Sequence, residues 1–92
     1  MKVEHDVTGH RFVIQLPDGH GELIYRLPRD GVVELYHTEV DPTLRRQGIG
    51  AALVRAAFDA ARAEGKKVIV TCPYVAAWLA RHPVERDLVV PR

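Results

Sequence analysis

One stretch, Thr38 to Leu53, constrains the rest of the chain. It starts as the end of an alternating apolar segment, passes through a short basic loop and opens a long alanine-rich pattern. The period changes there from two to about 3.6, so a strand must hand over to a helix within a few residues. Two glycines, Gly48 and Gly50, sit at the start of that helix. A glycine inside a helix costs about 1 kcal/mol relative to alanine. A pair this close points to a backbone that something must approach closely. From Arg45 to Gly50 there is no Ser, Thr, Asp or Asn to cap the helix, so its first N–H groups need another partner. Those N–H groups, the positive end of the helix dipole and the guanidiniums of Arg45 and Arg46 describe a site for a phosphate or pyrophosphate.

Upstream, the pattern is one of strands and tight turns. Val3, His5 and Val7 alternate with polar residues, and residues 11–16 (Arg-Phe-Val-Ile-Gln-Leu) form a stronger strand candidate. Residues 17–21 contain an Asp-Gly pair typical of hairpins. Residues 22–27 read as the returning strand, residues 28–31 as a second turn and residues 32–40 as a third long strand. The first half is therefore an antiparallel meander.

Downstream, Ile49, Leu53, Ala56, Ala57, Ala60 and Ala61 follow helical spacing. Gly65 suits the residue just past a helix end, and Lys66 and Lys67 complement the negative end of the dipole. Residues 68–72 form a short, buried-looking strand. Strand, helix, strand in this order is a βαβ crossover, which makes the last strand parallel to residues 32–40. Pro73 stops that strand. Residues 74–81 form a short amphipathic helix ended by His82 and Pro83, and Leu88, Val89 and Val90 are a last apolar piece of undetermined form. The expected fold is α/β (α+β): a mixed, mostly antiparallel sheet with one crossover helix and a short C-terminal helix, in a single domain over residues 1–92.

Composition limits the function classes. The net charge of +1 gives no general attraction to nucleic acid or to a membrane surface. No apolar run approaches transmembrane length, and the first residues lack the apolar core of a signal peptide. One cysteine excludes an internal disulfide, in keeping with a reducing cytoplasm. A chain of 92 residues buries a modest core, so the expected state is monomer or homodimer.

Among nucleotide motifs, Gly-x-x-x-x-Gly-Lys-Ser/Thr is absent, which excludes a P-loop. The dinucleotide pattern fails at Leu53 and lacks its acidic residue near Val70 and Thr71. The segment Arg45-x-x-Gly48-x-Gly50, followed by Ala51 and Leu53, resembles the acetyl-coenzyme A signature Gln/Arg-x-x-Gly-x-Gly/Ala of the GNAT acyltransferase superfamily. The strand ending at Val40, the helix and the following strand occur in that family's order. The run His37-Thr38-Glu39-Val40, together with Cys72-Pro73-Tyr74-Val75, Trp78-Leu79 and His82-Pro83, is similar to its small single-domain branch. The match spans Val32 to Pro83. One departure stands out: standard members carry two helices after the first strand that form part of the acceptor site, and here only a turn lies between two strands. The resemblance thus implies coenzyme A binding more strongly than it implies any acceptor.

Pro73 suits the first helical position, which makes Cys72 the expected N-cap. A thiol beside free N–H groups and a positive dipole end is expected to favour thiolate. The bland reading is a buried, inert cysteine, which this residue type favours. The resemblance implies that Cys72 is catalytic, either accepting the acyl group or lying beside the thioester. His37 and Glu39, two residues apart on one strand face, could each take a proton from an amine, although ordinary strand roles suit them better. The resemblance also implies that the main chain of Thr38, Glu39 and Val40 aligns the pantetheine arm. The N–H groups from Arg46 through Gln47, Gly48, Ile49 and Gly50 to Ala51 would hold the pyrophosphate, with charge from Arg45 and Arg46. Tyr74 and Trp78 are expected as core or rim aromatics and His82 as a helix-end cap. His5, His10 and His20 lack metal-ligand spacing.

The expected activity is acetyl transfer from acetyl-coenzyme A to an amine that the sequence does not identify. The rival is an acyl-coenzyme A or coenzyme A-binding module of the same fold. A weaker third reading is a protein that recognises only the ADP portion.

Overall fold

A computed structural model describes residues 1–92. Five strands form one sheet in chain order: β1 (Glu4–Asp6), β2 (Arg11–Leu16), β3 (Gly19–Arg29), β4 (Val32–Val40) and β5 (Lys67–Val70). The first four are antiparallel neighbours, and β5 runs parallel to β4. Helix α1 (Ile49–Ala63) makes the crossover and α2 (Pro73–Arg81) follows β5. No helix is long and apolar enough to cross a membrane.

Several boundaries differ from the sequence reading. The first hairpin turn is confined to Pro17 and Asp18, so β3 begins at Gly19 rather than Glu22 and continues past Leu27 to Arg29. Pro28 has no N–H for a ladder, but the β3–β4 register is irregular between Arg26 and Arg29, where that loss is tolerated. Strand β5 stops at Val70 rather than Cys72. The N–H groups of Thr71 and Cys72 share one acceptor, the carbonyl of Leu35, each at 3.1 Å. The last apolar piece is now defined. A 3₁₀ turn at Pro83–Leu88 leads to Val89, which bridges Val68 in parallel, and Val90 N–H donates to the Val68 carbonyl at 2.9 Å.

Both helices pack on one face of the sheet. Helix α1 buries Ile49, Leu53, Val54, Ala57, Phe58 and Ala61, a wider stripe than the alanine spacing alone suggests. Phe58 stacks on Trp78 of α2 at 5.3 Å between centroids, joining the helices above Phe12, Ile14, Leu23 and Leu35. The helix ends with Gly65 at φ 67°, where its N–H reaches Arg62 O and Lys66 N–H reaches Ala61 O. This paired closure satisfies the last carbonyls. The Pro83–Leu88 turn is fastened to α1 by ions. Buried Glu85 accepts from Arg62 at 3.0 Å and Arg55 at 3.1 Å, while Arg62 also bonds Asp87 at 2.8 Å. The hydrogen bonds from Arg62 and Arg55 hold the Glu85 carboxyl below the usual carboxylate range.

One irregularity positions the site. Ile24 pairs with His37 and Tyr25 with Leu35, so Tyr36 is an extra residue on β4. Such a bulge resets which side chains face the core. Before it, Val33 and Leu35 face the helices; after it, Thr38 and Val40 do. His37 and Glu39 therefore point to the opposite face, where their side chains are mostly exposed.

Candidate functional site

The β4–β5 ladder covers only Val32 to Leu35 of β4. Beyond that point the strands separate: β4 runs on to Val40, while the chain turns from Thr71 into α2. The edge of β4 from the bulge to Val40 is left without a strand neighbour on that side. A cavity of about 530 Å³ opens here, lined by Thr38, Glu39, Val40, Arg45, Arg46, Gly48, Ile49 and Gly50 together with Asp41, Pro42, Leu44 and Tyr74.

The basic loop at one end of the cavity is held by its neighbours. Asp41 accepts from the His20 N–H at 2.8 Å, and the Asp41 N–H donates to the His20 carbonyl at 3.0 Å, tying the loop to the β2–β3 hairpin. Pro42–Leu44 forms a 3₁₀ turn that buries Leu44. Arg46 has φ 69° and Gly48, the helix N-cap, φ 77°. Both are left-handed, and for Arg46 that conformation is strained. No side chain caps α1. Ala52 N–H already bonds the Gly48 carbonyl, so the N–H groups of Ile49, Gly50 and Ala51 are the ones without an intrahelical acceptor. The side chains of Arg45 and Arg46 carry no ion pair. An uncapped positive helix end beside two unpaired guanidiniums is an anion-binding arrangement.

The structure gives Gly50 a reason beside the sequence expectation. A β-carbon there would meet the Tyr74 ring, so Tyr74 itself requires a glycine here. Around Gly48 there is open space, and its glycine answers to the positive φ alone. Gln47 turns back to donate to the Thr43 carbonyl at 3.3 Å, and Ala51 packs against the core; neither side chain lines the cavity.

At the other end, Cys72 is the N-cap of α2 as expected, but its thiol makes no capping bond. The sulfur turns instead to Thr38, with Sγ 3.4 Å from Oγ1. The side chain is 3% exposed and is not among the residues that line the cavity; it meets the cleft only through its contact with Thr38. His37 Nε2 and Glu39 Oε2 lie 3.5 Å apart across their strand face. His82 does cap α2: its Nδ1 is 2.9 Å from the Trp78 carbonyl, and its ring stacks on that indole at 4.0 Å.

Tyr74 is the site residue that sequence reasoning under-weighted. It is 45% exposed, lines the cleft and spans from the start of α2 to the start of α1. Its place two residues after Cys72, in the first turn of α2, was the available signal.

Comparison with known proteins gives consistent results. A family model described as GCN5-related N-acetyl-transferase matches residues 11–88. The protein NATD1 of Homo sapiens is 32% identical over 90 residues, covering 96% of this chain and 80% of the relative. NATD1 of Gallus gallus is likewise 32% identical over 90 residues, with 96% and 82% covered. The NMR solution structure of a GCN5-like protein from Staphylococcus aureus superimposes with a TM-score of 0.75 at 22% identity, covering 99% of this chain and 89% of that one.

Proposed function

The chain belongs to the GCN5-related N-acetyltransferases, and from that premise we propose that it transfers the acetyl group of acetyl-coenzyme A to an amine. One observation carries this reading. A single cleft joins an uncapped helix N-terminus flanked by Arg45 and Arg46 to an unpaired strand edge that ends beside a buried thiol.

The residues suit such a molecule in three parts. The free N–H groups of Ile49, Gly50 and Ala51, with Arg45 and Arg46, would hold the pyrophosphate by charge and hydrogen bonding. The main chain of Thr38, Glu39 and Val40 offers unpaired donors and acceptors along an edge, which fits the amide-bearing pantetheine arm. Thr38 and Cys72 stand where that edge meets α2. The bound thioester supplies an activated acyl group; the protein's share is holding it in one orientation, where positioning alone can lower a barrier by several kcal/mol. Tyr74 lines the cleft on the α2 side.

A second reading has its own support. Only Pro17 and Asp18 separate β2 from β3, so no helices stand where larger members of the superfamily build an acceptor site. A coenzyme A-binding module without transfer activity fits that economy. Calorimetric titration with coenzyme A, ADP and pantetheine, followed by mass spectrometry of the protein mixed with acetyl-coenzyme A, separates the readings. Transfer predicts binding of the whole molecule together with an acetylated Cys72 or, once a panel of primary amines is added to the mixture, an acetylated amine and free coenzyme A. The module predicts binding alone. Equal affinity for ADP and coenzyme A would reduce the site to nucleotide recognition, and no binding would remove both readings.

A further inference from the structure

Glu34 is buried to 5% exposure in the middle of β4, between Arg26 on β3 and Ile69 on β5. A carboxylate there is costly to desolvate, and a β-branched residue would suit a central strand better. Its cross-strand neighbour does not pair with it: the Arg26 guanidinium lies over the Tyr36 ring at 3.9 Å. The Glu34 side chain instead accepts a 2.7 Å hydrogen bond from Thr71 Oγ1. This distance is typical of a charge-assisted O–H···O bond.

Thr71 is the first residue past the ladder and the one before Cys72. The backbone of both hangs from one carbonyl, that of Leu35. The carbonyl oxygen takes both N–H groups on its two lone pairs, so the backbone of this turn pivots on a single atom and its orientation is left to the side chains. The side chains leave this pivot to opposite faces of the sheet: Thr71 to Glu34 on one, Cys72 to Thr38 on the other. We propose that Thr71 and Glu34 are positioning residues for Cys72, locking the pivot from the face opposite the cleft and so holding the sulfur against Thr38. The inference rests on the reading of Cys72 as the group at the acyl end of the cleft, but it concerns the place of the sulfur and is testable without any transfer.

The test uses the full chain with Thr71→Val, Thr71→Ser and Thr71→Ala. Two readouts are taken under native conditions: the rate of Cys72 alkylation by iodoacetamide, and the nuclear Overhauser contacts between Thr38 and Cys72. In Thr71→Val the unlocked pivot is expected to expose the buried thiol, raising the alkylation rate at least about fivefold and weakening the Thr38–Cys72 contacts. Thr71→Ser keeps the hydroxyl and is expected to stay within about twofold of the parent. Thr71→Ala adds no bulk at this exposed position and gives the same comparison should the valine variant fail to fold. Parental rates and contacts in the valine or alanine variant would overturn the proposal, as would a serine variant that behaves like valine. Absence of coenzyme A binding by the parent would count against the proposed activity and leave both readouts valid.

Discussion

The Tyr74 hydroxyl lies 2.6 Å from the point where a β-carbon on residue 50 would stand. The two residues thus share one small volume between the starts of α1 and α2. Alanine at position 50 should gain about 1 kcal/mol of helix propensity, yet here it is expected to lose about 1–3 kcal/mol by overpacking against the ring. With Tyr74→Ala in place, Gly50→Ala should become neutral or stabilising. Urea unfolding of the four-member cycle measures the coupling directly. A coupling near zero would return Gly50 to the phosphate alone.

The basic loop takes a left-handed backbone at two positions, Arg46 and Gly48, and the two should respond oppositely. Gly48→Ala forces a β-carbon into a left-handed conformation, at a cost of about 1–2 kcal/mol from its own backbone alone, with no contact to the rest of the fold. Arg46→Gly relieves the same conformation and should raise stability by up to about 1 kcal/mol. Thermal melts of the single variants check both signs.

The same relief should weaken an anion site. Coenzyme A affinity is expected to fall as salt rises, because unpaired surface guanidiniums are screened. Arg45→Ala with Arg46→Ala should flatten that dependence and reduce affinity about tenfold or more at low salt, which corresponds to about 1.4 kcal/mol. Titrations at several ionic strengths give the slope; an unchanged slope would leave these arginines as solvated surface.

Acid should loosen the Pro83–Leu88 turn. The carboxyl of Glu85 is held low first by Arg62 and then by Arg55, that of Asp87 by Arg62 and that of Asp6 by Arg11. A folded pKa below the unfolded one adds stability that is present above the unfolded value and lost as pH falls through the folded one. With ordinary values of 4.5 for glutamate and 3.8 for aspartate, stability should be level near neutrality and decline below about pH 4.5. Glu85→Gln should cost about 1–3 kcal/mol at pH 7 and make that decline shallower. Denaturant midpoints across pH 3–7 provide the measurement.

At the other end of the cleft, Cys72→Ala should bind coenzyme A within about twofold of the parent, because it leaves the loop of Arg45–Gly50 untouched. Any acyl transfer should drop. Cys72→Ser keeps a group of similar size for Thr38 to meet and separates packing from reactivity: full activity in that variant would exclude a nucleophilic sulfur.

Much of this was legible in the chain. Strands β2 and β4 lie where alternation and turn residues put them, and the strand–helix–strand order fixed the parallel pairing of β5. The anion loop was legible because its chemistry is local: two arginines, two glycines and a missing cap. The remainder depended on tertiary partners. The extra residue at Tyr36 reverses the faces of β4 midway, and only pairing with β3 reveals it. Val54 and Phe58 enter the core because α2 packs back over α1, which widens the apolar stripe. The thiol was expected at the helix N–H groups, and the long-range neighbour Thr38 drew it away. Glycine at 50 was visible as an anomaly, but the neighbour that crowds it, Tyr74, lies 24 positions further on.

Strands adjacent in the sheet are also adjacent in sequence, from β1 through to β5. Four of them can zip together through short turns, at little loop-closure cost and with low contact order. Only β5 must wait for a whole helix to form and fold back. The cleft opens where β4 and β5 part company past Leu35, so it is expected to be completed only after the meander, once β5 has paired. Hydrogen exchange is accordingly expected to find β5 and the first turn of α2 opening before the meander does. A cell would lose the site in a partly opened molecule whose four antiparallel strands are still intact.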